Sequence, residues 1–329
     1  MNKRKFGRTN LHLSELCLST TNFGWIDEEA SAFALLDTYF NAGGSFIQSL
    51  GFPLNSVAAE IVDSRSEDLV ARWRETRGIS RDSLVLASRI NFVRPTHGGS
   101  IAFANLIREA CERSLRQLRT RHLDLLICDW DDDLQPVEDV LEAADMLIRA
   151  GLVRYVVAES FPAWRVVDSI HRSSTRNHAR FEALQAEYSL MSKGGIEPEA
   201  LAMCRDHRLG FLARSPLAGG FLAQRPISER DVVNLDRNWQ SERFGNHVGD
   251  AVLKALAEMA DRRLVAPAQI ALAWVLGNPQ VSSAVISAPG IRELRELIGA
   301  TDLVLPAEET SALASVTAVQ DYRMELRHA

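Results

Sequence analysis

Residues 122–158, HLDLLICDWDDDLQPVEDVLEAADMLIRAGLVRYVVA, contain one complete strand–helix–strand unit and decide the fold. The apolar run His122–Cys128 predicts a buried strand. The segment Val137–Ala150 has the period of an amphipathic helix and ends at Gly151, as helices commonly do. Val153–Ala158 then predicts a second strand, which lies parallel to the first in a βαβ unit.

The same alternation runs along the whole chain. Further strands are predicted at Glu15–Thr20, Ser45–Ser49, Leu84–Ser88, Phe181–Gln185, Gly210–Ala213 and Ala284–Ser287. Helices are predicted at Glu28–Ala42 with Asp27 as N-cap, Ser66–Thr76, Asn105–Leu118, Ala163–Ser173, Pro198–His207 and Gly249–Arg263. Eight parallel strands predict an α/β fold, the (β/α)8 TIM barrel.

The N-terminal segment and the absence of linkers complete the predicted architecture. Residues 2–13 predict a β-hairpin that turns at Arg8–Asn10 and plugs the bottom of the barrel. No Pro/Ser-rich or low-complexity stretch divides the chain, so residues 1–329 are expected to form a single domain.

Composition narrows the classes of partner. A formal net charge of −6 and a pI of about 5.8 argue against a nucleic-acid or membrane partner. The expected partner is a small-molecule substrate. The N-terminus has no apolar run after its basic residues, and the four cysteines form no CxxC pair, so we expect a cytoplasmic protein. The histidines show no ligand spacing, and no metal is expected.

Seven segments resemble the aldo-keto reductase superfamily. They are KFGRTNLHLSELCLSTTNFGW (5–25), SEDLVARW (66–73), RHLDLLICDW (121–130), GLVRYVVAESF (151–161), QAEYSL (185–190), RSPLAGGFL (214–222) and PAQIALAWVLGNPQVSSAVISAPGIREL (267–294). The resemblance covers nearly the whole chain and implies the same barrel. It also implies carbonyl reduction by NADPH with an Asp, Tyr, Lys and His tetrad at the strand ends.

All four tetrad positions differ in this chain. Gln48 stands where the resemblance expects Asp, and Pro53, beside Phe52, stands where it expects Tyr. Arg89 replaces Lys, and Asp129 replaces His. Neither Phe nor Pro donates a proton, and a positioned general acid contributes roughly 10²–10⁴ in rate, so ordinary carbonyl reduction is disfavoured.

The cofactor positions implied by the resemblance are changed in part. Glu159-Ser160 replaces the Ser-Asn pair that grips the nicotinamide, and Arg214 replaces the aromatic that stacks under it. Gly290, Glu293 and Leu297 stand where Ser, Gln and Asn are expected. Gln185, Glu296 and the segment 215–220 match. If NADP(H) binds, the resemblance assigns the contacts to Gln185, Ser215, Leu217 and Gly219.

The replaced residues define a candidate site, because barrel active sites lie at the C-terminal ends of the strands. The charged and polar candidates are Gln48, Arg89, Asp129, Glu159 and Arg214. Apolar walls are expected from Trp25, Phe52 and Trp130. The sequence leaves open whether Arg89 and Asp129 form a structural or a catalytic pair.

Three functions remain open at this point. The first is redox-neutral acid–base chemistry, an elimination, cyclisation or isomerisation of a small polar metabolite, possible in secondary metabolism. The second is a non-standard NADP(H)-dependent oxidoreductase, and the third is a non-catalytic binding or regulatory barrel. In the first, Arg89 and Arg214 bind a carboxylate or oxyanion, and Asp129 or Glu159 moves protons. The sequence leaves the oligomeric state and the roles of residues 51–65 and 223–248 undetermined.

Overall fold

The structure, a computed structural model, describes residues 1–21, 23, 29–51, 65–91, 99–129, 136–223 and 239–325. Two short antiparallel strands, β1 (Lys3–Lys5) and β2 (His12–Ser14), come first. Eight parallel strands follow: β3 (Leu16–Ser19), β4 (Phe46–Leu50), β5 (Val85–Asn91), β6 (Leu123–Asp129), β7 (Val153–Glu159), β8 (Phe181–Glu187), β9 (Gly210–Arg214) and β10 (Ser283–Ile286). They close in the order β10-β3-β4-β5-β6-β7-β8-β9. The predicted barrel is confirmed.

The helices surround this barrel. They are α1 (Glu29–Asn41), α2 (Arg65–Thr76), α3 (Gly99–Gln117), α4 (Val137–Arg149), α5 (Ala163–Arg176), α6 (Ala202–Asp206), α7 (Trp239–Phe244), α8 (His247–Arg263), α9 (Pro267–Leu276), α10 (Ile291–Gly299) and α11 (Ala307–Glu325). The predicted helix Pro198–His207 is wrong in detail, because a wide π turn at Ile196–Leu201 precedes α6. The predicted N-cap Asp27 lies outside the described residues. None of the helices in the described ranges is both long and apolar enough to span a membrane.

The hairpin plugs the lower end of the barrel, as predicted. Phe6 and Leu13 are fully buried in the apolar cluster that fills the barrel interior. A Cβ built on Gly210 would lie 2.4 Å from the Phe6 ring, so only glycine lets the ring approach β9 this closely. Arg8 reinforces the contact through its Nε, 2.9 Å from Glu182 Oε2 on β8.

Alternation along each strand separates two apolar cores. Leu126, Cys128 and Val156 face outward into the layer between strands and helices. Ile127 and Val157 face inward. Because side chains on a strand alternate faces, residues two positions beyond an inward residue also face inward. This rule identifies which polar side chains reach the mouth.

Candidate active site

The upper part of the barrel interior changes from apolar to charged within one layer. Cys17, Ala87, Val157 and Leu212, from alternate strands, belong to the interior apolar cluster. Two residues further along the same strands stand Ser19, Arg89, Glu159 and Arg214. Alternate strands contribute the four side chains of one barrel layer, so these residues form the next layer, which we call the charged layer.

Four charges meet at this level and just above it. Arg89 Nη2 lies 2.5 Å from Asp129 Oδ2, and Arg89 Nε lies 2.6 Å from Glu159 Oε2. Arg214 Nε lies 3.2 Å from Glu159 Oε1. The order of contacts is therefore Asp129–Arg89–Glu159–Arg214, with alternating charge. The structure brings four of the five polar candidates into direct contact.

Glu159 is the least accessible of these charges. Its side chain is 0% exposed, compared with 14% for Asp129, 30% for Arg89 and 36% for Arg214. Its two oxygens face the Nε atoms of Arg89 and Arg214, and both contacts are ion pairs. The site therefore has one carboxylate beneath three partly accessible groups.

Burial and neighbouring charge shift the protonation equilibria in the layer. Burial raises the pKa of the Glu159 carboxyl; the Arg89 charge opposes this rise, and the Asp129 charge adds to it. Burial works against the charge of Arg89, but Glu159 and Asp129 outweigh it and raise the arginine pKa. Arg89 is thus a fixed cation, whereas Glu159 is the group whose proton is more easily retained.

Two glutamines lie directly below the charged layer. Gln48 on β4 and Gln185 on β8 are 5% and 0% exposed. The Gln185 side chain offers a hydrogen bond to Glu159 that opposes the rise in the pKa of that carboxyl, whereas Gln48 Oε1 is buried without a hydrogen-bond partner among the described residues. Such groups are uncommon in folded proteins and concentrate where a site binds something else. The floor of the site is therefore polar and incompletely satisfied.

Glu187 is a mouth residue that the sequence reasoning missed. It lies two positions beyond Gln185 on β8, so it faces inward as well. Its Oε2 accepts a 2.9 Å hydrogen bond from Arg243 Nη1 of α7, and its Oε1 is buried without a partner. The alternation along QAE, with Gln185 already assigned inward, was the signal that identifies it.

The chain turns sharply after Glu159 and after Arg214. Ser160 and Ser215, the next residues, have φ of 60° and 50°, in the left-handed region that non-glycine residues seldom adopt. Ser160 N donates to Gln185 O at 3.0 Å. Ser215, Leu217 and Gly219 lie in the turn that follows β9, where Ala218 N donates to Ser215 O. Strained backbone of this kind is common beside functional groups.

The expected apolar walls lie outside the described residues. Trp25, Phe52 and Trp130 fall there, as do Pro53 and most of the two long segments 51–65 and 223–248. The described part of the second segment includes α7, which carries Arg243.

The three tyrosines with described side chains lie away from the charged layer. The chain has four tyrosines. The Tyr39 hydroxyl contacts the carbonyl oxygens of Leu16 and Phe46 outside the barrel interior, at 2.7 and 2.8 Å. Tyr155 belongs to the interior beside the hairpin, Tyr188 donates to Glu197, and Tyr322 is part of α11. The sequence has no tyrosine in 22–28, 52–64, 92–98, 130–135 or 224–238.

The sequence profile of the aldo/keto reductase family matches residues 15–318. The chain belongs to this family. It is 29% identical to an uncharacterized oxidoreductase, YrpG, of Bacillus subtilis, over 92% of this chain and 91% of the relative. It is 28% identical to a norsolorinic acid reductase of Emericella nidulans, over 91% and 77%. It is 27% identical to protein tas of Escherichia coli, over 98% and 99%. The relatives of this aldo-keto reductase family member are thus named mainly as oxidoreductases.

Membership in the aldo-keto reductase family implies NADP(H), and the residues present fit that cofactor poorly. The nicotinamide needs a flat apolar face, but Arg214 and Glu159 form an ion pair at that level of the barrel. At the start of α10, a Cβ built on Gly290 would lie 2.8 Å from Glu293 Oε2. A carboxylate therefore occupies the helix N-terminus, the kind of position that a phosphate prefers. Gln185 and the 215–220 turn remain compatible.

Proposed function

We propose that this aldo-keto reductase family member catalyses redox-neutral acid–base chemistry, an elimination, cyclisation or isomerisation, on a small polar metabolite. The observation that carries the proposal is the contact series Asp129–Arg89–Glu159–Arg214 at the strand ends. It supplies fixed cations and two carboxylates in different environments, which is the arrangement that acid–base catalysis needs.

The roles follow from accessibility. Asp129 is engaged by Arg89 through Oδ2, and Oδ1 has no donor among the described residues, so Oδ1 is the proposed proton acceptor. Arg214 is the proposed cation for the oxyanion that forms when a proton leaves a carbon beside a carbonyl. Glu159 is inaccessible and is proposed as a positioning residue that keeps Arg89 and Arg214 in place as their shared counter-ion. Asp129 returns the proton that it has accepted.

Variants of the two carboxylates test this proposal. Turnover is followed by proton NMR in metabolite mixtures without nicotinamide cofactor, and then with the identified substrate. Asp129→Asn is expected to reduce turnover by roughly 10²–10⁴, the contribution of a positioned acid or base. Glu159→Gln is expected to reduce turnover as well, because Arg89 and Arg214 lose their shared counter-ion. Asp168→Asn, on the outer face of α5, is the matched control. Full turnover in both site variants would contradict the proposal.

A second candidate is an NADP(H)-dependent oxidoreductase. The names of the relatives and the retained Gln185 and 215–220 turn favour it. Calorimetric titration with NADPH tests it, and the absence of binding at millimolar cofactor would eliminate it.

A third candidate is a non-catalytic barrel, which is favoured by the match to a probable voltage-gated potassium channel subunit beta of Arabidopsis thaliana. It predicts a stable protein partner and no turnover.

A further inference from the structure

Arg214 has hydrogen-bonding capacity that the described residues of the chain do not use. Its Nε faces Glu159, and its terminal nitrogens have no hydrogen-bond partner within the described ranges of the chain. Glu159 also pairs with Arg89, at the shorter distance of 2.6 Å, so its charge is shared between two cations. The terminal nitrogens of a guanidinium match the two oxygens of a carboxylate, which they bind in bidentate fashion.

Glu187 offers the complementary group on the neighbouring strand. It is the register partner of Arg214 between β8 and β9, and neighbouring strands lie about 4.8 Å apart. Arg243 binds Glu187 Oε2, whereas Oε1 is buried and lacks a donor. A buried carboxylate oxygen without a donor is costly, so a ligand that supplies one is favoured here.

We infer that the ligand of this site is a small carboxylate that also carries a hydroxyl or amino group. Its carboxylate binds the terminal nitrogens of Arg214, and its hydroxyl or amino group donates to Glu187 Oε1. This inference rests on the proposed function, because it names the substrate class of the same site. A neutral amide lacks the charge that Arg214 requires. A doubly charged phosphate is repelled more strongly by Glu159 and Glu187 than a singly charged carboxylate is.

Four probes of matched size test the inference: lactate, alanine, propionate and lactamide. Molecules of about six heavy atoms bind weakly, so titrations are followed by NMR at tens of millimolar ligand. Lactate or alanine is expected to bind about tenfold more tightly than propionate, which lacks the donor, and than lactamide, which lacks the charge. Equal binding of all four probes, or no binding of any, would overturn the inference.

Variants assign the two contacts separately. Arg214→Leu is expected to abolish binding, and Arg214→Lys to weaken it about tenfold, because lysine keeps the charge and loses the two-pronged geometry. Glu187→Leu removes the preference for lactate over propionate. Glu187→Gln retains an acceptor oxygen, so it preserves lactate binding and weakens alanine binding. Unchanged affinities in folded Arg214→Leu protein would contradict the assignment.

A control at the opposite end of the same strand separates local from general effects. Glu182 on β8 is likewise buried and paired with an arginine, but it lies at the bottom of the barrel. Glu182→Gln is expected to leave all four affinities unchanged. Because these measurements need no turnover, a failure of the binding inference can be distinguished from a failure of the proposed acid–base function.

Discussion

Glu159 is held without solvent contact between two guanidinium groups, and this placement governs how the site tolerates change. Taking charges out of water is costly, and the cost is offset only while the partners remain in place. Removing one partner leaves an uncompensated buried charge. Replacing both by apolar groups removes the charge altogether. The two kinds of substitution therefore have different consequences for stability.

Arg89 is the nearer of the two cations that pair with Glu159. Arg89→Leu is expected to lower the free energy of unfolding by about 3–5 kcal/mol, because Glu159 loses its nearer cation. The double variant with Glu159→Leu is expected to be more stable than the single one. Urea unfolding measures both. The control is Arg172→Leu on α5, where the arginine side chain of the ion pair is 44% exposed. This substitution should lower the free energy of unfolding by at most about 1 kcal/mol. A double variant less stable than Arg89→Leu would refute the prediction.

The contribution of Glu159 to the free energy of unfolding is expected to depend on pH. Burial raises the folded-state pKa of Glu159, so its contribution to stability is fully present below the ordinary glutamate pKa. That contribution is lost as pH rises through the raised value, because the unfolded state releases the proton first. The stability of wild type minus that of Glu159→Gln should therefore fall with rising pH over this range. Urea unfolding at several pH values measures the difference, and a difference that increases with pH is the contrary result.

At the scale of elements, the hairpin β1–β2 is predicted to contribute strongly to stability. Phe6 is fully buried against Gly210 in the barrel interior. Phe6→Ala should lower the free energy of unfolding by about 3–5 kcal/mol, the usual cost of deleting a buried phenyl ring. The exposed neighbour Lys5 is the control, and Lys5→Ala should stay within about 0.5 kcal/mol. Equal effects of the two substitutions would show that burial of the Phe6 ring does not hold the β1–β2 hairpin against the barrel.

The strands were predictable from the sequence, and several helices were not. Each barrel strand contains a short apolar stretch, and all eight were located within a few residues. Helix α9, PAQIALAWVL, is buried on nearly all sides, so it lacks the polar face from which a helix is recognised. Helices α10 and α11 were not predicted either, since both follow the last strand and belong to no strand–helix–strand unit.

The site was predictable as a set of positions but not as a set of contacts. Strand ends identified Arg89, Asp129, Glu159 and Arg214, because the barrel brings the ends of distant strands together. The sequence did not show that Glu159 is shared by two arginines. That arrangement depends on which residues of alternate strands lie at the same level of the barrel. The pairing register between neighbouring strands determines this level. Glu187 was missed although it follows Gln185 by two residues.

At the scale of the whole molecule, closure of the barrel depends on β10, the last strand in the sequence. β10 pairs with β9 on one side and with β3 on the other. A chain ending at residue 276 lacks β10 and leaves β9 and β3 as open edges. It is expected to lose the cooperative urea transition and to aggregate, whereas a chain ending at residue 325 should unfold like the full chain. Cooperative unfolding of the shorter chain would contradict this.

The pairing of β3 with β10 also sets the order of events during synthesis. Leu16 of β3 pairs with Ala284 of β10, so β3 is synthesised 268 residues before its partner. At ordinary translation rates the interval is roughly ten seconds to a minute. Throughout that time the β3 edge lacks the neighbour that covers it in the folded barrel, and an unpaired strand edge of this kind favours aggregation.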